Sequence, residues 1–270
     1  MERSILLVGC GNMGFAMLKG WLAEGGNLKV SVIEPNKDLR SWAAKEGADV
    51  YVSIENLKSD FSPELIVMAV KPQIMEDVLP AYRTWANGSV TFLSVAAGIN
   101  VDTFLEVLGR ETPVIRCMPN TPSAIGKGML VCWANRNVIP SAINLSSTLL
   151  SSSGEVLWVD EEELMDAVTA VSGSGPAYLF HFIESMAVAG IRAGLPKDVA
   201  EKLALQTVYG AASLARYSEN TPESLRQQVT SPGGTTAAAL QVLMENERLV
   251  SLVNEAVASA KERSIELGKK

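Results

Sequence analysis

The stretch Ser4-Ile5-Leu6-Leu7-Val8-Gly9-Cys10-Gly11-Asn12-Met13-Gly14 decides the fold. An apolar, β-rich run ends in a complete G-x-G-x-x-G, and a stripe at helical spacing follows it: Gly14, Met17, Leu18, Trp21 and Leu22. Strand, glycine turn and helix in that order open a dinucleotide-binding βαβ unit. Gly9 permits the tight turn, Gly11 lets backbone approach a pyrophosphate, and Gly14 lets the helix pack closely on the strand. The N–H groups at the helix start lack intrahelical partners and point toward phosphate oxygens. Without the strand before it and the helix after it, the motif would be an ordinary glycine-rich turn.

Outward from this point, β-rich apolar runs alternate with segments of helical period up to about residue 160. The candidate strands cover residues 4–8, 29–33, 49–52, 65–69, 90–95, 114–117, 129–133 and 156–159. Several are apolar throughout, such as Leu65-Ile66-Val67-Met68-Ala69, as strands covered by helices on both faces must be. The predicted fold is α/β: a Rossmann-type doubly wound, largely parallel sheet over residues 1–160, followed by an all-α helical domain over 161–270. In the last segment Leu249, Leu252, Val253, Ala256, Val257 and Ala260 fall on one helical stripe. Small residues crowd the stretch from Met186 to Leu214, so its helices approach a partner closely, either within the chain or across a subunit interface.

Composition narrows the functional classes. The 270 residues are 47% hydrophobic and 20% charged, the balance of a globular protein. A formal net charge of -7 argues against nucleic acid or an anionic membrane as partner, since both need a basic face, and favours a small-molecule partner. The run Ile5–Val8 has no basic region before it and stops at Gly9, so it does not read as a signal peptide, and a cytoplasmic protein is expected. Cys10, Cys117 and Cys132 are widely spaced and lie in or beside strand-like runs, the pattern of buried free thiols. One histidine, His181, and no paired cysteine motif leave no zinc site of the usual kinds and no histidine-dependent triad. His181, between Phe180 and Phe182, reads as a packed or hydrogen-bonded histidine.

Glu34 ends the second strand about twenty residues past the fingerprint, where an acid accepts hydrogen bonds from the adenosine ribose of NAD. An exposed acid ending a strand is the other reading. Asn36, Lys37 and Arg40 follow, and can hold a 2′-phosphate if Glu34 turns away, so NADH and NADPH both stay open. In the helical half, Val171-Ser172-Gly173-Ser174-Gly175-Pro176-Ala177-Tyr178 and Ser231-Pro232-Gly233-Gly234-Thr235-Thr236 both look like loops feeding helix starts. The second suits a carboxylate, because Gly233 and Gly234 allow a turn whose following N–H groups point outward at a positive helix end. The plainer readings are a helix N-terminus capped by serine and threonine, and a helix restarted by Pro176.

Together with the fingerprint, these motifs resemble the pyrroline-5-carboxylate reductase family over nearly the whole chain. The resemblance also includes Ala69-Val70-Lys71-Pro72, Ala96-Ala97-Gly98 and Arg116-Cys117-Met118-Pro119-Asn120-Thr121-Pro122. It implies reduction of 1-pyrroline-5-carboxylate to L-proline with NADPH or NADH and no metal. It also implies a homodimer through C-terminal helices, with a decamer of five dimers as the larger assembly. By position, Gly9, Cys10, Gly11, Asn12, Met13 and Gly14 would hold the pyrophosphate. Asn56, Ala69, Val70, Lys71, Pro72, Ala96, Ala97 and Gly98 would line ribose and nicotinamide. Ser231, Gly233, Gly234, Thr235 and Thr236 would bind the substrate, and Thr236 and Glu162 would act at its ring nitrogen. Two positions depart from the family pattern: Glu34 stands where many relatives have a small polar residue, and Gln228 where some have asparagine.

In the chemistry that this implies, the cofactor supplies the hydride and the protein orients both reactants. An imine that binds already protonated needs no general acid, which agrees with the lack of a candidate histidine. Two alternatives remain at this level. A β-hydroxyacid dehydrogenase shares the dinucleotide domain and a helical second domain, but wants a lysine near the 172–178 motif, where there is none. A non-catalytic dinucleotide-binding sensor would share the fold without turnover.

Overall fold

The continuously apolar runs of the first half become strands of one sheet, because a strand covered on both faces has no side to leave polar. The computed structural model describes residues 3–23, 25, 27–58 and 60–268. Its strands are β1 (Arg3–Val8), β2 (Leu28–Ile33), β3 (Asp49–Tyr51), β4 (Leu65–Met68), β5 (Thr91–Ser94), β6 (Val114–Met118), β7 (Gly128–Ala134) and β8 (Gly154–Trp158). Its helices are α1 (Asn12–Ala23), α2 (Lys37–Glu46), α3 (Met75–Val78), α4 (Val101–Leu108), α5 (Pro140–Ser151), α6 (Leu164–Val168), α7 (Gly175–Arg192), α8 (Lys197–Tyr217), α9 (Pro222–Gln228), α10 (Thr235–Met244) and α11 (Arg248–Gly268).

The sheet order is β3-β2-β1-β4-β5-β6-β7-β8. Pairing is parallel from β3 to β6, antiparallel between β6 and β7, and parallel between β7 and β8. The predicted doubly wound, largely parallel sheet is therefore the observed one. Alternation along each strand feeds two layers. Ile5, Leu7, Val67 and Leu93 face side chains from α1, α2 and α5, while Leu6, Val8, Met68 and Phe92 face those from α3 and α4. Each such side chain contributes roughly 1.5–3 kcal/mol on full burial, which makes this double layer the main source of stability. On α1 the buried residues are Gly14, Met17, Leu18 and Trp21, and the Trp21 indole N–H donates to the Leu149 carbonyl on α5 at 2.9 Å. Cys10, Cys117 and Cys132 are free and buried as expected, with Cys117 opposite Cys132 across β6 and β7.

By compactness the chain divides into Met1–Ser174 with Ala260–Lys270, and Gly175–Ser259. This division lies beyond the change of sequence pattern at 160, because α6 and the π-helical turn Thr169–Gly173 bury Met165 and Ala170 within the first unit. In the second unit α7 packs on α8 through small residues: Ala187, Ala200 and Ala204 are buried, and a Cβ at Gly190 would lie 3.1 Å from that of Ala200. Gly210, Ala211 and Ala212 stay exposed, so only part of the small-residue stretch serves contacts within the chain. Among the described residues no helix is long and apolar enough to cross a membrane.

Candidate functional site

The strand register sets the carboxyl ends of β2, β1, β4 and β5 side by side: Ile33 pairs with Val8, Val8 with Met68, and Met68 with Ser94. The residues that follow each strand, 9–14, 34–36, 69–72 and 95–100, therefore share one edge of the sheet. Strand order reverses on either side of β1, and open α/β sheets bind ligands in the crevice at such a switch point. Gly9 has φ +87° and donates its N–H to the Ile33 carbonyl at 2.9 Å, and a Cβ there would sit 2.9 Å from the Ala69 oxygen. A Cβ at Gly14 would strike the Gly9 carbonyl oxygen, so close packing of α1 requires glycine. A Cβ at Gly11 meets nothing within 4 Å, so that position faces open space. Cys10 is buried and Met13 packs on the core, leaving backbone as what these two present at the turn. Asn12 is exposed.

Glu34 is buried, at 7% exposure, which removes the exposed-acid reading. One carboxylate oxygen accepts the Cys10 N–H at 2.7 Å and the other accepts the Asn36 N–H at 2.9 Å. The acid thus braces the glycine turn against the loop between β2 and α2. Arg40 reinforces that loop by donating to the carbonyls of Glu34 (2.7 Å) and Pro35 (2.8 Å). The Asn36 side chain caps α2, accepting from the N–H groups of Asp38 and Leu39. Asn56 lies in the loop after β3, its Oδ1 accepting from the backbone and hydroxyl of Ser53 at 3.2 and 3.1 Å. Lys71 is exposed on the turn after β4, and Pro72 begins a short 3-10 turn.

The loop after β5 is held at both ends. Val95 N–H donates to the Met68 carbonyl at 3.1 Å, and Ala96 N–H to the Ser94 hydroxyl at 3.3 Å. Ala96 and Gly98 are buried and Ala97 half-buried. Asn100 occupies the cap position of α4 but makes no side-chain cap bond. The Val101 N–H donates instead to Glu162 Oε1 at 2.9 Å, and Arg116 Nη1 donates to the same oxygen at 3.0 Å and to Asn100 Oδ1 at 3.1 Å. Arg116 is almost wholly buried, and a buried guanidinium is stable only when paired. Glu162 thus has partners other than the substrate role that the resemblance implies. Asn120 accepts from the Met129 N–H at 2.9 Å and donates to the Ser172 carbonyl at 3.1 Å, joining the motif at 116–122 to the one at 171–178. Arg116, Asn100 and Asn120 had no role assigned from sequence. The legible signal was Arg116, a lone charge inside an apolar strand.

In the second unit, the Gly234 N–H donates to the Ser231 carbonyl at 3.1 Å, closing a turn in which Gly233 has φ +69°. Gly234 is the extended cap residue of α10 and no side chain caps the first turn, so the serine-or-threonine cap reading does not hold. Ser231 and Thr235 are exposed and Thr236 is half-buried. Pro176 is the second residue of α7, preceded by the π-helical turn, a feature frequent near functional sites. His181 is not packed in the chain: it is exposed and lies 3.3 Å from Glu184. The apolar run around it wraps more than one helix face, and only one face meets α8. Among the described residues no group of three or more His, Cys, Asp or Glu side chains could hold a metal ion.

Known proteins match this arrangement along its length. A family model described as "Pyrroline-5-carboxylate reductase dimerisation" matches residues 162–267, and one described as "NADP oxidoreductase coenzyme F420-dependent" matches residues 4–98. The pyrroline-5-carboxylate reductase of Pseudomonas aeruginosa is 39% identical over 264 residues, spanning 97% of this chain and 96% of its own. The solved structure of a pyrroline-5-carboxylate reductase from Coxiella burnetii aligns with a TM-score of 0.92 at 33% identity over 100% of both chains. That of Plasmodium falciparum pyrroline carboxylate reductase with NADP bound aligns with a TM-score of 0.83 at 31% identity over 99% of both. With identity of this order sustained from end to end, the chain belongs to the pyrroline-5-carboxylate reductase family.

Proposed function

We propose that this chain reduces 1-pyrroline-5-carboxylate to L-proline with NADPH or NADH, the last step of proline biosynthesis. The observation that carries this reading is the gathering of the glycine turn, the β4 turn and the β5 loop on one sheet edge at a switch point. The residues present fit a dinucleotide: open space at Gly11, a helix start behind it, and a turn that side chains at Gly9 or Gly14 would block. The pyrophosphate is assigned to the backbone of residues 9–14, the adenosine ribose to the loop at Glu34 and Asn36, and the remaining ribose and the nicotinamide to Asn56, Ala69, Val70, Lys71, Pro72, Ala96, Ala97 and Gly98. When bound, the dinucleotide supplies a hydride.

The protein's share is orientation and charge placement. Ser231 and the N–H groups after Gly234 take the substrate carboxylate at the positive start of α10. The Thr236 hydroxyl accepts from the protonated ring nitrogen and so favours the electrophilic form of the imine. Holding two reactants in one geometry supplies roughly 7 to 11 kcal/mol of barrier reduction, enough for positioning groups to dominate. Residues 1–160 serve the cofactor, and 161–270 serve substrate binding and dimerisation.

The chain works as a homodimer through its C-terminal helices, with five dimers forming a decamer. Exposed apolar side chains on α7, α8 and α11 support the dimer, and the net charge of -7 disfavours nucleic-acid and anionic-membrane partners. The test follows absorbance of reduced nicotinamide with pyrroline carboxylate, NADPH and NADH side by side. Imine-dependent oxidation with release of proline is expected. Dinucleotide binding without oxidation would leave a sensor, and turnover with hydroxyacids but not with proline would leave a dehydrogenase of the other class.

A further inference from the structure

Glu162 sits where a helix cap is missing. Asn100 has the cap position of α4, yet its amide points elsewhere: Oδ1 accepts from Arg116, and Nδ2 donates to the Gly268 carbonyl at 3.4 Å. The Val101 N–H, first in the helix, is taken by Glu162 from outside the loop. A carboxylate there also meets the positive end of α4. Arg116 pairs with Ser94 in the sheet register, so it stands beside the strand that the loop leaves, and it holds Glu162 and Asn100 with one nitrogen. The far side of the loop is closed by the end of α11: a Cβ at Gly98 would lie 3.0 Å from Leu267 Cβ, and Gly98 has φ +74°. Ser264 on that helix end donates to Asp166 at 2.6 Å, which fixes it to the segment just after Glu162. The 95–100 loop therefore has little freedom of its own, and its position is set by Glu162 and Arg116.

We propose that Glu162, held in place by Arg116, is a positioning residue for the cofactor: it caps α4 so that residues 96–98 stand at a fixed place on the sheet edge. It acts through the loop. This inference rests on the reading that residues 96–98 bound the nicotinamide end of the dinucleotide.

The test uses the full chain and four readouts: NADPH affinity by titration of its fluorescence without imine, the KM for NADPH, the KM for pyrroline carboxylate, and amide exchange at Val101. Glu162→Ala is expected to weaken NADPH about tenfold in both affinity and KM while the imine KM stays within about twofold, because the cap is lost but the substrate turn is untouched. Exchange at Val101 should speed up by at least about tenfold, which reports the cap directly. Glu162→Gln keeps an oxygen for Val101 but loses the charge beside Arg116, so it should recover part of the affinity. Should Glu162→Ala misfold around an unpaired Arg116, Glu162→Gln and Asn100→Ala carry the test, with the same split between the two KM values at smaller size. An imine KM that rises while NADPH affinity holds would overturn the proposal in favour of direct substrate contact. NADPH affinity unchanged in every variant would overturn it as well. If the unaltered protein binds no dinucleotide, the reading of the sheet edge fails first and takes this inference with it.

Discussion

The two compact units treat similar side chains in opposite ways. In the first, whole strands of leucine, isoleucine and valine are removed from water by helices of the same chain. In the second, the three buried residues are alanines, while Phe180, Leu203, Leu205, Tyr209, Leu252 and Val253 are exposed. Burial of apolar area drives both folding and association, so the difference says where each unit finds its partner. The sheet unit completes its core within one chain. The helical unit leaves apolar side chains of α7, α8 and α11 exposed, and α7 meets α8 through small residues.

The sharpest way to break that contrast is Leu252→Asp on the exposed stripe of α11. A carboxylate forced into an apolar interface should cost about 3 kcal/mol or more, roughly a hundredfold in dimer affinity. Sedimentation velocity should show monomers at concentrations where the unaltered protein is dimeric. An unchanged dimer would mean that this stripe is not the interface. A smaller effect is expected from Gly14→Ala in the other unit, where the new methyl meets the Gly9 carbonyl at the base of the turn. Overpacking of this kind costs about 1–3 kcal/mol, so the unfolding midpoint should fall while the dimer persists. Dinucleotide affinity should fall with it, since the clash displaces the phosphate turn. A variant as stable and as tight-binding as the parent would show that α1 can shift freely.

The same contrast explains what could be read from the chain. All eight strands were legible because each is a short apolar run between turns, and the glycine fingerprint gave the order of the first elements. Partners far apart in sequence were not. Nothing near Glu34 announces that its carboxylate is held by the N–H of Cys10, since a backbone donor has no sequence signature. Arg116 inside Val114-Ile115-Arg116-Cys117 is a lone charge in an apolar strand and so a signal of a buried pair that went unused, but nothing in the sequence marks Glu162 as its partner. Of the two readings of His181, packed or hydrogen-bonded, the second holds, through Glu184, because an apolar neighbourhood in sequence implies burial only if the helix face has a partner in the same chain. The helical unit is where that condition fails.

Thr236→Ala tests the second unit by chemistry instead of assembly. A lost hydrogen bond to a charged ring nitrogen is worth roughly 1.5 kcal/mol, so turnover should drop about tenfold, with Thr236→Ser recovering most of it. The dimer and the unfolding midpoint should not move, because Thr236 is only half-buried and its substitution leaves the α10 turn intact. Turnover equal to that of the parent would remove its hydroxyl from the reaction.

The smallest effect belongs to the closed core of the first unit, which holds all three cysteines. Burial, and after it the Glu34 carboxylate, push the Cys10 thiol up to about 12. Cys117 is raised too, by the neighbouring Cys132 thiol and by burial. A thiol whose folded pKa lies above its unfolded value favours the folded state below the unfolded pKa, and that advantage is lost as pH rises toward the folded one. Stability should therefore be flat through neutral pH and decline above about pH 9, with Cys10 alone accounting for about 1 kcal/mol by pH 10. Urea midpoints at pH 7 and pH 10 read this, and Cys10→Ala isolates one thiol, because its alkaline decline should be shallower by that amount. Thiol reagents report the same closure by rate: the thiolate is the reactive form, so labelling in the folded protein should be slow until urea opens the sheet. Fast labelling of Cys10 at neutral pH in the folded state would mean that the glycine turn opens far more often than its bonds to Glu34 and Ile33 imply.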